Sequence, residues 1–151
     1  MRAVIHRVKS ANVKVEGKVV SEIKEGLCAL IGLCQEDTES DLEFIVKKIL
    51  DTPVFQSQNT LKSLAHENRD ILCISQFTLY GKTVKGNKPD FHESMKTENA
   101  RKMYNIFLDK LRTAYKREMV YDGVFGAMMD VSMQTDGILT LQFDSKKFEY
   151  L

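Results

Sequence analysis

Ile71-Leu72-Cys73-Ile74-Ser75-Gln76-Phe77-Thr78-Leu79-Tyr80-Gly81 is the stretch on which the reading of this chain turns. It opens as the most apolar strand-like run in the middle of the sequence and changes character within one residue. Ser75, Gln76 and Thr78 put two hydroxyls and an amide at the end of a segment that otherwise reads as buried. Buried polar groups must be hydrogen-bonded or they cost stability. Either they cap the backbone at a strand end, or they form the floor of a pocket, and local pattern alone favours the cap. The pattern predicts a strand over 70–81. A loop over 82–92 follows, with Lys82, Lys85 and Lys88 around Gly86 and Pro89. Three such lysines can hold phosphates as point charges, or can simply keep a loop solvated.

Working outward, a strand is predicted over residues 2–8, with Val4, His6 and Val8 on one face and Ala3, Ile5 and Arg7 on the other. An arginine beside Ala and Ile most often snorkels at an edge. Val13 and Val15 alternate with charges, Glu16-Gly17-Lys18 reads as a hairpin turn, and Val19-Val20 starts the return strand. Gly26 to Leu33 lacks alternation, which predicts a central strand covered on both faces. Thr38-x-x-Asp41 opens a helix whose stripe is Leu42, Ile45, Val46 and Ile49, and Pro53 ends it. Val54-Phe55 is a short strand. Residues 56–69 read as a surface loop with an exposed, inert His66. Thr97 caps a second long helix, striped by Ala100, Met103, Tyr104, Phe107, Leu108 and Leu111. A short strand over 119–122 leads into Gly123 and Gly126. Thr135-Asp136-Gly137 reads as a turn, and Leu139, Leu141 and Phe143 then alternate with Thr140, Gln142 and Asp144. No repeat or linker divides the sequence, so 1–151 is predicted to be one mixed α/β domain.

Composition excludes little. Among 151 residues, 43% are apolar and 28% charged, and the net charge of +1 gives no global nucleic-acid signature, so such binding must come from a local patch. No apolar run approaches the roughly 20 residues that span a bilayer. With no signal-peptide layout at the N-terminus, the expectation is a cytoplasmic protein without membrane contact. Cys28, Cys34 and Cys73 have no metal-ligand spacing and read as small buried hydrophobes. None of the three histidines sits in a triad context, and the sequence has no phosphate loop or nucleophile elbow.

Four motifs nevertheless stand in order along the sequence: Met1-Arg2-Ala3-Val4-Ile5-His6-Arg7-Val8; Ser75-Gln76-Phe77-Thr78-Leu79-Tyr80-Gly81; Lys85-Gly86-Asn87-Lys88-Pro89-Asp90-Phe91; and Gly123 to Met129 followed by Thr135 to Thr140. Together they resemble the D-aminoacyl-tRNA deacylase family (the D-tyrosyl-tRNA deacylase group) over essentially the whole length. The resemblance implies mainly antiparallel sheets in a barrel-like core, two main helices packed on it, and a homodimer with active sites at the subunit interface. It implies hydrolysis of the ester between a D-amino acid and tRNA, with Gly-tRNA as a further candidate substrate, and with no metal and no organic cofactor. Ser75, Gln76, Phe77 and Thr78 would form the catalytic segment. Gly137 and Ile138 of the partner subunit, with Arg7, would form the substrate gate, and Lys82, Lys85, Lys88 and Phe91 would contact tRNA. The family threonine at Thr78 has been viewed as a nucleophile. The other view assigns the reaction to main-chain groups and the tRNA 2′-hydroxyl. A nucleophilic threonine needs a base, and no histidine or lysine is visibly assigned to Thr78. Positioning by Thr78, with main-chain donors near Phe77 and Thr78 as an oxyanion site, is therefore the expectation.

Two positions depart from the family. Its signature Asn-x-Gly-Pro-Val-Thr is here Thr135-Asp136-Gly137-Ile138-Leu139-Thr140, so the Gly-cisPro gate is degenerate. A cis bond before a non-proline residue costs about 2.5–4 kcal/mol against about 0.5–1 before proline, so Gly137-Ile138 is expected to be trans. Three outcomes are open: the gate survives as a strained cis bond, it relaxes and loosens rejection of L- or achiral substrates, or the pocket no longer catalyses. The last outcome leaves a tRNA- or DNA-binding relative, a class represented by vertebrate members linked to replication origins. The second departure is His6 in place of the usual glutamine, read here as a surface-strand histidine.

Overall fold

The computed structural model describes residues 1–147. Its organising element is β1, Arg2–Val15, one continuous strand where two shorter ones were expected. Glu16 and Gly17 both adopt positive φ (51° and 76°) and turn the chain into β2, Lys18–Ile23, the hairpin geometry that matches strand twist. β3, Gly26–Gly32, pairs antiparallel with the first half of β1, while β2 pairs with the second half. α1, Glu39–Asp51, then crosses to a small hairpin, β4 (Phe55–Ser57) and β5 (Thr60–Lys62), and a single turn, α2 (Leu64–Glu67). The polar segment 56–69 is therefore folded. Its own backbone pairing was hidden by the lack of apolar alternation, although His66 is exposed as expected.

β6, Asp70–Ser75, lies parallel to β3, and α3, Thr97–Ala114, leads to β7, Val120–Asp122, parallel to β6. β8, Asp130–Asp144, is one long strand that pairs antiparallel with the free edge of β1. The expected turn at Thr135–Gly137 is an irregularity inside that strand. The sheet curls until β2 approaches β7, where the Ser21 hydroxyl donates to the Asp122 carbonyl, and the result is a nearly closed, barrel-like mixed α/β domain. No helix among the described residues is long and apolar enough to cross a membrane.

β3 lacks alternation because its two faces feed two cores. Leu27, Ala29 and Ile31 pack with Leu42, Ile45 and Ile49 of α1 and Tyr104, Phe107 and Leu111 of α3. Cys28 points the other way, to Val8, Ala11, Val13, Leu72 and Ile74 inside the curl. All three cysteines are free and buried, and burial pushes the Cys28 thiol up to about 12, so it behaves as a hydrophobe.

Asp41 ties the helical layer to the end of the sheet. Its Oδ2 accepts the Thr38 N–H at 2.8 Å, the Thr38 hydroxyl at 3.0 Å and Lys146 Nζ at 2.8 Å. Burial alone would raise the Asp41 pKa, but the bonds from Lys146, Ser145 and Thr38 outweigh it and hold the carboxyl well below the usual range. Because the folded pKa lies below the unfolded one, this stabilisation is complete above the unfolded value near 4 and is lost progressively as pH falls from there to the folded value. Asp41→Asn is expected to cost about 1–2 kcal/mol at pH 7, as for a lost cap. That corresponds to about 2–8 °C in Tm. The variant should also show a shallower decline of Tm between about pH 5 and 2, measured by thermal melts across that range.

Candidate active site

β6 ends one residue after the apolar run. The expected strand over 70–81 stops at Ser75, and Phe77–Tyr80 forms a turn of 3-10 helix. The reversal comes from the parallel neighbour: the Gln76 N–H donates to the Ile31 carbonyl at 2.7 Å as the last rung, after which the chain folds back over Gly32. A Cβ at Gly32 would sit 2.9 Å from the Leu79 Cβ, so only glycine lets the turn settle on β3. At the far end, a Cβ at Gly81 would lie 2.8 Å from the Phe91 ring.

The turn is braced from three sides. Arg2 donates to the Leu79 carbonyl (2.8 Å) and to Asp144 (3.0 Å), and its guanidinium stacks on the Tyr80 ring at 4.4 Å. Ser94 Oγ donates to the Phe77 carbonyl at 3.0 Å. Phe91 meets Phe77 edge to face, with centroids 5.1 Å apart. Arg2 braces this turn, a structural role that the sequence pattern did not assign it. Its place in the alternation with Val4 and His6 was the available signal.

This bracing leaves polar groups facing out. Phe77 and Thr78 are exposed, and among the described residues their backbone N–H groups have no hydrogen-bond acceptor, as the first N–H groups of a helical turn must lack one. The Thr78 hydroxyl is engaged by the Gln76 side-chain amide. No histidine, lysine or carboxylate among the described residues bonds to it. His92 pairs with Asp90 (2.5 Å), His66 with Ser63 (2.7 Å) and His6 with Thr140 (3.0 Å). The Lys82–Phe91 loop, closed by the Lys82–Asp90 bridge, lies directly beside the turn. Lys82 pairs with Glu93, Lys85 and Lys88 form no ion pair among the described residues, and the loop lines a hollow of about 500 Å³. A second cavity, about 520 Å³, is lined by Arg2, Tyr80, His92 and Glu93. A third hollow, about 720 Å³, is an open groove between α1 and α3 whose Lys110 is paired with Glu39 and Glu43, and it holds none of these groups. Among the described residues no cluster of His, Cys, Asp or Glu could hold a metal ion.

The second group of residues forms around Arg7. Its side chain is 17% exposed, so it does not snorkel. Nη1 donates to the Val54 carbonyl at 2.6 Å, Nε and Nη2 donate to the Asp136 carbonyl at 3.3 and 3.1 Å, and Nε lies 3.2 Å from the Asp136 carboxylate. The Gly137-Ile138 bond, expected to be trans, is cis. Gly137 has φ +112°, and a Cβ there would lie 2.5 Å from Arg7 Nη2. Local sequence statistics could not anticipate that arrangement, because the guanidinium that holds Asp136 comes from β1. Ile138 is 78% exposed. Among the described residues, this group and the Ser75–Gly81 turn share no hydrogen bond within one chain.

The sequence matches the family model described as D-Tyr-tRNA(Tyr) deacylase over residues 4–144. It is 46% identical over 148 residues to the human protein named D-aminoacyl-tRNA deacylase 1, covering 96% of this chain and 70% of that one. It is 44% identical over 151 residues to a Dictyostelium discoideum D-aminoacyl-tRNA deacylase, covering 97% and 99%. The solved structure of the c-Myc DNA Unwinding Element Binding Protein superposes with a TM-score of 0.91 at 46% identity, covering 95% of this chain and 98% of that one.

The Arg7 group makes a direct prediction. Arg7→Ala removes charged donors from two carbonyls and should cost about 1.5–3 kcal/mol. Gly137→Ala forces an L side chain into positive φ at a cost of about 1–3 kcal/mol. Since both displace the same guanidinium, chemical denaturation of the double variant should show less destabilisation than the sum, by at least about 0.5 kcal/mol.

Proposed function

The chain belongs to the D-Tyr-tRNA(Tyr) deacylase family, and on that premise we propose how it acts. It hydrolyses the ester that joins a D-amino acid to tRNA, releasing free tRNA and the amino acid, with Gly-tRNA as a second substrate. Water adds to the ester carbonyl, the C–O bond to the tRNA 3′ oxygen breaks, and that oxygen leaves with a proton. The observation that carries the mechanism is the pair of free N–H groups at Phe77 and Thr78, set on a braced turn. They receive the oxyanion that develops at the carbonyl, and one such donor is worth about 10²–10³ in rate. Thr78 and Gln76 hold each other and position the substrate, with Ser75 closing the floor. The attacking water is assisted by the tRNA's own 2′-hydroxyl, since the Thr78 hydroxyl has no base.

The site is completed in a homodimer. The exposed Ile138 and the Arg7-held Gly137 bend belong to a surface that a second copy would cover, and from there they would act as the gate against L-amino acids. Exposed Lys85 and Lys88, with Lys82 and Phe91 behind them, take the phosphates of the acceptor end as point charges. The chemistry uses no metal or organic cofactor, and the protein works in the cytoplasm on the charged tRNA pool.

A second reading has its own support in the 46% identity to the c-Myc DNA Unwinding Element Binding Protein: this protein would bind DNA through the same lysines. Incubation with D-Tyr-tRNA, L-Tyr-tRNA and Gly-tRNA separates the two. Release of D-tyrosine is expected, and binding without turnover of any ester would favour the second reading. Thr78→Ala should retain turnover within about tenfold, whereas loss of 10³ or more would restore the nucleophile. Lys85→Ala/Lys88→Ala should weaken tRNA binding and lower the salt slope of log K by about 1–2.

A further inference from the structure

β8 carries more residues than β1 can pair. His6 lies opposite Thr140 and Val8 opposite Thr135, so the single residue Arg7 faces the four residues Asp136 to Leu139. Surplus length in a ladder is free to migrate: one end can pair further while the other opens, and a slip of one residue turns every side chain to the other face. Something must pin both ends if the bend is to present Gly137 and Ile138 in one place. The entry is pinned by Arg7 on the Asp136 carbonyl. At the exit, His6 Nδ1 and Thr140 Oγ1 are 3.0 Å apart on directly opposed residues. Between them Leu139 packs on the core and Ile138 projects into solvent.

We propose that His6, acting through the Thr140 hydroxyl, is a positioning residue that fixes the exit of the Asp136–Leu139 bend and thereby sets the ratio of D- to L-ester hydrolysis. This rests on the gate assigned above. Adjacent side chains of β1 point to opposite faces, so Arg7 and His6 grip the bend from the two sides of the sheet. Threonine suits the role because its β-branched side chain has few rotamers to lose. Imidazole suits it because Nδ1 accepts from the hydroxyl or donates to it, and a glutamine amide can do the same. Partial burial lowers the His6 pKa and favours the neutral ring.

The test compares His6→Leu, His6→Gln and Thr140→Val with the full-length protein. In His6→Leu and Thr140→Val, amide hydrogen exchange at residues 136–139 should quicken about two- to tenfold, the worth of one net hydrogen bond. Hydrolysis of L-Tyr-tRNA should rise by a similar factor relative to D-Tyr-tRNA, and His6→Gln should stay within about twofold of wild type. The two disruptive changes should not add when combined, so either one serves if the other fails to fold. Unchanged exchange in both disruptive variants overturns the anchor. Quickened exchange with an unchanged D-to-L ratio overturns its bearing on selectivity. A wild-type protein that hydrolyses neither ester overturns the function proposed above, and the exchange data then judge the anchor alone.

Discussion

Everything in this structure hangs on the hydrogen-bonding of β1 along both of its edges. One edge is shared between β3 and β2, and the other is taken by β8 along its length. A backbone donor or acceptor left unpaired inside a protein is costly, so a fourteen-residue strand with two filled edges admits little freedom of register. Between Thr135 and Thr140, where β8 has more residues than its partner, the surplus leaves the ladder. It leaves opposite Arg7, whose guanidinium finds the carbonyls of Val54 and Asp136 there. A glycine is required at 137 on two counts, the positive φ and the guanidinium packed against it.

The other half of the site follows from a different constraint. β3 and β6 are parallel, so both end at the same edge of the sheet, where ligands commonly meet α/β proteins. The backbone turns immediately after the last rung, and among the described residues the first N–H groups of that turn find no acceptor. In a helix interior this would be a defect. At the surface, braced by Arg2, Ser94 and Phe91, it supplies two fixed donors that need no reorganisation when charge develops. A main-chain oxyanion site of the kind proposed would tolerate side-chain change and depend instead on the clearances at Gly32 and Gly81. That dependence fits a site without an assigned base for Thr78.

Electrostatics divides the labour. The charges nearest the turn are mostly consumed structurally: Arg2 by Asp144 and the Leu79 carbonyl, Lys82 by Glu93, and Arg7 by the bend. Among the described residues Lys85 and Lys88 of the basic loop are exposed and form no salt bridge, which suits contact with phosphates. With a net charge of +1, attraction to a polyanion has to be this local.

Much of the fold was legible in residue order. The unalternating run from Gly26 meant burial on both faces because apolar period reflects what covers a strand. Thr38 and Asp41 meant a helix start because capping is a local bond. The stripe of Tyr104, Phe107 and Leu111 meant a helix on a sheet. The Ser75–Gly81 motif was singled out by its resemblance to a family. Tertiary structure decided the rest. It turned Phe77–Tyr80 out of the strand, because the end of β3 and not local propensity set the last rung. It made Thr135–Gly137 part of a strand, because a turn signal yields when β1 pairs on either side of it. It made Gly137-Ile138 cis and Arg7 a clamp. It joined His6 to Thr140 across 134 positions of sequence. Local order records what a residue prefers among its neighbours in the chain, and these features depend on partners that only the closed sheet brings within reach.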